Sequence, residues 1–265
     1  MSGHPGDNGV LVPPDLTEAL RVFSRRDCTV IALDFDGTLA PLVDDPMESR
    51  MVPEAREALL ELGALRGVKV ALVSGRAIDS LRVVAEPSDD WYLVGSHGGE
   101  IVPPGMHHSY TAHSRVPADL DQAFCDVVEE HPGTRLERKA FGLALHTRGV
   151  DAAVASRAEA SARSVCESFE GNLRIRTGHG ILECSVLDAT KADGIAALRE
   201  ATGAEATLFA GDDITDEDAI ASLGPRDVGI WVGEGSSAAR YRLADAHQVA
   251  AALGLLASLS AGEGA

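Results

Sequence analysis

Two acidic strings stand out: LDFDGTLAP, carrying Asp34 and Asp36, and ATLFAGDDITDED, carrying Asp212, Asp213 and Asp216. Each follows directly on an apolar run that reads as a strand. Residues i and i+2 of an extended chain project to one side, so Asp34 and Asp36 are expected to face one site. Like charges that close are costly to bury unless a cation shares the site or one carboxyl keeps a proton. Carboxylates at two strand ends of one sheet supply hard oxygen ligands of the kind Mg²⁺ prefers, with room for retained waters. The plainer reading of the first string is an acidic loop turning at Gly37. For the second it is helix capping by Asp213 or Thr215, which accounts for one acid and not for the set.

Two further pieces suit an anion. The run VKVALV ends in Ser74-Gly75-Arg76, where a hydroxyl and helix N-terminal amides can hold phosphate oxygens. Lys191 opens a later helix and can neutralise phosphate charge. Singly each is weak, since a serine at a helix start is most often a cap and a lysine there is usually solvated.

Positioning these residues requires strands that end where they stand. Short apolar runs alternate with amphipathic stretches: CTVIAL (28–33), a helix over 53–66, VKVALV (68–73), a short helix near 76–84, and WYLVGS (91–96). The alternation resumes with a helix over 191–201, ATLFAG (206–211), a helix from 215, DVGIWVG (227–233) and a helix near 246–260. This is the pattern of βαβ units in a parallel sheet, whose ligands bind at the carboxyl ends of the strands. Between the two halves the rhythm changes to helix, strand, strand, twice over, with Gly-containing turns that favour antiparallel hairpins. The expectation is an α/β parallel-sheet core (15–111 and 188–265) split by an inserted α+β module at 112–187, after a loose tail at 1–14.

The chain has 265 residues, with 23 Lys+Arg against 41 Asp+Glu and a formal net charge of −18. That argues against a nucleic-acid binder and against attachment to an anionic membrane surface. Cys28, Cys125, Cys166 and Cys184 are scattered without metal-site spacing, which suits a reducing cytoplasm. No secretory signal or membrane-spanning run is read, and a monomer is expected. His107, His108 and His113 are read as solvated rather than as a metal site.

The motifs Asp34-Phe35-Asp36-Gly37-Thr38, Ser74, Lys191 and Gly211-Asp212-Asp213-Ile214-Thr215-Asp216 resemble, in order and strand-end context, the four motifs of haloacid-dehalogenase (HAD)-type phosphatases. The finer strings SGR, GSHGGE (95–100), ERK…HTR (137–148) and GDDITDEDA resemble the trehalose-6-phosphate phosphatase family. The resemblance implies a HAD-like Rossmannoid core with an inserted α+β (C2B-type) cap that acts as a lid. It implies Mg²⁺-dependent hydrolysis of a sugar phosphate, trehalose 6-phosphate, through an aspartyl-phosphate. Asp34 would be the nucleophile and Asp36 the acid and then the base, with Ser74, Gly75 and Lys191 on the phosphoryl group. The metal would be held by Asp34, Asp36 (through its carbonyl) and Asp212, with Asp213 and Asp216 close by or acting through water. Arg76, Glu137, Lys139 and Glu183 would grip the sugar. After Glu183 relatives commonly read E-x-R-P and K-G; here stand Ser185, Val186 and Lys191-Ala192, a departure that bears on the lid hinge and sugar preference. Alternatives are another substrate (sucrose phosphate, a mannosyl-glycerate phosphate, a hexose phosphate), a phosphomutase, or a silent sugar-phosphate sensor.

Overall fold

A computed structural model describes residues 11–106, 110–111, 116–139, 141–169, 173–178, 180–186 and 189–262. His107, His108 and His113, and most of the expected tail, lie outside the described residues. In chain order the elements are α1 (Pro14–Ser24), β1 (Thr29–Leu33), α2 (Pro53–Gly63), β2 (Val68–Val73), α3 (Ile78–Ala85), β3 (Tyr92–Gly95), β4 (Glu100–Val102) and β5 (Tyr110–Thr111). There follow α4 (Ala118–Glu130), β6 (Arg135–Lys139), β7 (Gly142–His146), α5 (Ala152–Ser168), β8 (Arg174–Gly178) and β9 (Ile181–Ser185). The chain ends with α6 (Lys191–Thr202), β10 (Ala206–Gly211), α7 (Ile214–Ala221), β11 (Val228–Val232), β12 (Tyr241–Leu243) and α8 (Ala246–Gly262).

Contacts divide the chain into two units, residues 1–110 with 190–265 and residues 111–189. The first is built on an eight-stranded sheet in the order β12-β11-β10-β1-β2-β3-β4-β5. From β12 to β3 the strands run parallel, and β4 pairs antiparallel with β3. Such a sheet is buried on both faces, so its strands read as continuous apolar runs. Ile31, Leu33, Val70, Leu72, Leu208 and Ile230 pack on one side with residues of α1, α2, α3 and α8. Val30, Ala32, Ala71, Val73, Phe209 and Trp231 pack on the other with α6 and α7. The chain steps from β1 outward to β2 and β3, then returns to the opposite side of β1 as β10. The crevice where the strand order reverses therefore opens beside the end of β1.

One helix escaped the sequence reading. α1 begins at Pro14, where a proline suits the first helical turn, and buries Leu16, Leu20 and Phe23 at helical spacing. Each contributes about 2 kcal/mol of apolar burial, which outweighs the loop signals of the Gly- and Pro-rich segment before it. The short strands β4, β5 and β12 were not expected either, because two or three residues carry too little periodicity to register.

The second unit has the helix-strand-strand repeat. Its four strands form an antiparallel sheet in the order β6-β7-β9-β8. Leu143, Leu145, Leu182 and Cys184 pack against Leu120 and Phe124 of α4 and Ala158 and Ala162 of α5. Alternation then places Glu137, Lys139, Glu183 and His146 on the other face. No helix among the described residues is long and apolar enough to cross a membrane.

Candidate active site

β1 ends at Leu33, and the backbone N–H of Asp34 still donates to the Ala210 carbonyl of β10 at 2.9 Å. The Asp34 side chain thus enters the crevice on the last rung of the β1–β10 pairing. Beyond it the chain curls: the amides of Leu39 and Ala40 both donate to the Phe35 carbonyl, and Gly37 has φ +80°. Gly37 is required on two counts, since that φ suits glycine and a Cβ there would overlap the Asp212 carboxylate. At the end of β10, Gly211 plays the same spatial part against Asp216.

Across the crevice, α6 starts with a capping box between Thr190 and Asp193, which sets Lys191 as the first helical residue. Its ammonium is buried and donates to Asp34 Oδ1 at 2.7 Å and to Asp216 Oδ1 at 2.6 Å. Asp216 is fully buried, and its other oxygen accepts from the amides of Asp212 (3.1 Å) and Asp213 (2.9 Å). With three donors on it, Asp216 acts as an anchor for the lysine and for the turn into α7. Thr38, also fully buried, donates to Asp212 Oδ1 at 3.4 Å.

Asp34, Asp212 and Asp216 are the described acids whose ligand atoms gather within 4.8 Å of one another. Three carboxylates against one lysine leave an excess of two negative charges if all are ionised. Burial, above all, pushes the Asp34 carboxyl well up; Lys191 pulls it back, while Asp216 and Asp212 add to the rise. Burial and the Asp216 charge likewise lift Asp212 to about 6, although its hydrogen bond with Asp34 works the other way. Burial alone would lower Lys191, but Asp34 and Asp216 more than reverse this and hold it charged. Carboxylates gathered this closely in a largely buried site call for a proton or a cation between them, and the excess of two charges matches a divalent cation.

The Asp34 and Asp36 carboxylates have different partners. The Asp36 carboxylate turns to Arg76, which binds it through Nε at 2.6 Å and Nη2 at 2.7 Å, and to the Ser49 hydroxyl at 2.9 Å. Arg76 also donates to the Pro46 carbonyl at 2.7 Å, so one guanidinium holds both Asp36 and the 45–49 loop. Arg76, read in the sequence as a sugar contact, here engages this carboxylate.

Ser74 is buried at the end of β2, and its hydroxyl accepts from the Arg76 amide at 3.1 Å. Gly75 leaves space that the His97 ring fills. Asp213 is exposed and caps α7, accepting from the Ile214 amide at 2.7 Å, and it stands outside the carboxylate cluster. Asp213→Ala is therefore expected to cost about 1 kcal/mol of stability in thermal melts while divalent-cation affinity stays unchanged in calorimetry. A loss of affinity as large as that of Asp212→Ala would make Asp213 a ligand.

In the second unit, Glu137, Lys139 and Glu183 share one sheet face, as their spacing suggested. A partner for Glu183 is found on that face: Lys139 Nζ lies 3.0 Å from it. His146, part of the HTR string but given no role in the sequence reading, bonds Glu137 at 2.7 Å. Its signal was its place two residues after Ala144, which puts it on the face of Glu137 and Glu183. Ser49 carries no such signal; its partner is 13 residues away and its own surroundings are featureless.

A trehalose-phosphatase family model matches residues 32–247. A trehalose-phosphate phosphatase of Mycobacterium bovis is 31% identical over 276 residues, covering 94% of this chain and 67% of that protein. One of Mycobacterium ulcerans is 33% identical over 264 residues, covering 92% and 66%. This chain thus spans about two thirds of the length of these relatives. Among solved structures, the C-terminal domain of the Candida albicans trehalose-6-phosphate phosphatase matches with a TM-score of 0.72 at 20% identity, covering 95% of this chain and 99% of that one. The Aspergillus fumigatus trehalose-6-phosphate phosphatase gives 0.70 at 23%, covering 92% and 97%. At these identities the structural likeness is one of fold.

Proposed function

The chain belongs to the trehalose-phosphatase family and is a phosphoric monoester hydrolase acting on trehalose 6-phosphate; we propose that Asp34 is its nucleophile and that Mg²⁺ is its metal. The observation that carries this is the buried Asp34–Lys191–Asp216 chain with Asp212 against Asp34. A sensor that only binds has no use for a buried carboxylate held at a strand end by a charged lysine.

Asp34 attacks phosphorus in line, forming the Asp34–phosphorus bond as the bond to the sugar oxygen breaks. Lys191 orients the Asp34 carboxylate in the free enzyme and then stabilises charge on the phosphoryl oxygens. Ser74 and the amides of the Ser74–Arg76 turn bind the same group. Asp36, having taken a proton from solvent, gives it to the leaving oxygen and takes one from the water that opens the acyl phosphate. To do so it leaves Arg76, because a carboxylate in a bidentate guanidinium bond has its oxygens occupied. Asp34 and Asp212 have oxygens to offer Mg²⁺, whereas those of Asp216 are taken. Held there, Mg²⁺ would offset the repulsion between an anionic nucleophile and a phosphate dianion.

Since Asp212 keeps its proton up to about pH 6, a metal ion must displace that proton. Apparent Mg²⁺ affinity is therefore expected to fall by up to about tenfold per unit as pH drops below 6, read by calorimetry between pH 5 and 8. Affinity that stays flat over that range would count against these ligands.

For the second unit the reading is sugar recognition by Glu137, Lys139 and Glu183. Phosphate release from a panel of sugar phosphates, with and without Mg²⁺, tests the whole proposal. Trehalose 6-phosphate should exceed glucose 6-phosphate and sucrose phosphate; comparable rates sink the specificity, and no turnover of any ester favours the sensor. Glu183→Ala should lower turnover of trehalose 6-phosphate far more than that of a small aryl phosphate, and equal losses would remove it from sugar recognition.

A further inference from the structure

Among the described residues only Glu86, Ser96 and His97 combine a side chain with positive φ, and two of them are adjacent. Ser96 (φ 49°), His97 (φ 56°) and Gly98 (φ 108°) make three successive left-handed residues at the end of β3. Conformations of this kind persist only where the surroundings over-determine them, and they gather at functional sites.

On one side the turn is bonded to the phosphate-facing turn after β2. The Ser96 amide donates to the Arg76 carbonyl at 2.7 Å, the His97 amide donates to the Ser74 carbonyl at 3.1 Å, and the His97 ring lies against Gly75. On the other side Gly98 meets the start of α6: a Cβ there would overlap the Thr190 carbonyl, one residue before Lys191. Gly194 of α6 is close-packed too, since a Cβ on it would lie 2.8 Å from Val94 of β3. The turn thus fills the space between the Ser74–Arg76 backbone and the helix that carries Lys191.

Glu100 fixes the turn in place. Its buried carboxylate accepts from the Ser96 hydroxyl at 2.6 Å and from the Ile78 amide at 3.3 Å. Ile78 is the first residue of α3, whose N-cap is Ala77 and supplies no side-chain acceptor. Glu100, 22 residues on, supplies that acceptor in its stead. One carboxylate oxygen therefore ties the left-handed turn to the helix that follows Ser74-Gly75-Arg76.

We propose that Glu100 and His97 are positioning residues: with Gly98 they form a wedge that sets the gap between the Ser74–Arg76 turn and Lys191, and so the fit of the site to the transferring phosphoryl group. The wedge rests on the proposed phosphoryl chemistry but not on the identity of the sugar. Glu100→Ala, Glu100→Gln and His97→Ala are compared for kcat and KM on trehalose 6-phosphate and on para-nitrophenyl phosphate. Inhibition by orthovanadate, which takes up the five-coordinate geometry of a phosphoryl group in transfer, is measured alongside the folded fraction. Displacement of such groups by about 1 Å costs on the order of 100-fold, so Glu100→Ala is expected to lower kcat on both esters by about that factor. The vanadate inhibition constant should rise in step at an unchanged folded fraction, and Glu100→Gln, which keeps an acceptor for Ser96, should recover most of the activity. If Glu100→Ala does not fold, His97→Ala, which uncovers Gly75 without disturbing the buried carboxylate, is read by the same pair of measurements. Wild-type kcat, or losses that only follow the unfolded fraction with vanadate inhibition unaltered, would overturn the wedge. A wild-type enzyme inactive on trehalose 6-phosphate but active on the aryl ester would fail the sugar assignment alone and leave this test intact.

Discussion

Asp34→Asn is expected to lower phosphate release by about 10⁴-fold or more while the protein keeps its fold, because an amide cannot form the acyl phosphate. Stability should move in the opposite direction to activity. Burial holds the Asp34 carboxyl well above its unfolded value, so ionised Asp34 works against folding as pH rises. Asparagine carries no such penalty, and Lys191 retains Asp216 as its partner at 2.6 Å. Without metal, the wild type should therefore melt lower at pH 7.5 than at pH 5, and Asp34→Asn should narrow that difference. Phosphate release and melting with and without a chelator check both halves. Residual turnover near wild type would remove Asp34 as nucleophile; an unfolded variant would show that the carboxylate is needed for the fold.

Lys191→Met should damage both activity and stability. Methionine fills much of the buried space but leaves Asp34 and Asp216 without their shared ammonium, at 2.7 and 2.6 Å. Breaking a buried pair by removing one partner costs about 3–5 kcal/mol, because an uncompensated charge stays behind. Charges on these carboxyls are then uncompensated in the folded state, and the Asp34 carboxyl, already raised by burial, loses the pull of Lys191. Their cost is absent below the unfolded value and grows as pH rises, so the variant should regain stability on acidification towards pH 4. Denaturant melts at pH 4.5 and 7.5 read this directly. Equal losses at both pH values would mean that packing, not charge, explains the lysine. Turnover should fall by about 10³-fold even where the variant is folded, since the transferring group loses its nearest fixed cation.

Much of the core was legible because its signals are local. VKVALV and ATLFAG match β2 and β10 residue for residue, since strands buried on both faces over most of their length read as largely apolar runs. Lys191 and the two acidic strings were legible as types at strand and helix ends. Their division of labour was not, because it depends on partners far away in the chain. Asp34 and Asp36 are two residues apart in sequence, yet one meets Lys191, 157 residues away, and the other Arg76, 40 residues away. Glu100 was invisible for a related reason: its partners are four and 22 residues away and belong to a turn and a helix start. Asp213 lay between two readings, and the capping one describes its contacts.

The central place of β1 bears on how such a chain is made. Its β2 neighbour is synthesised soon after it, but its β10 edge stays bare until the Ala206–Gly211 strand emerges. The contacts that complete the site span 157 residues for Lys191 with Asp34 and 174 for Thr38 with Asp212. Closing loops of that length is slow compared with folding the local hairpins and helices of residues 111–189. A nascent chain thus carries an unpaired apolar strand edge for most of its synthesis, the condition that invites edge-to-edge association. Ribosome-bound chains halted just before β10 should accordingly be more prone to aggregate, and easier to digest within the first 110 residues, than chains released after it.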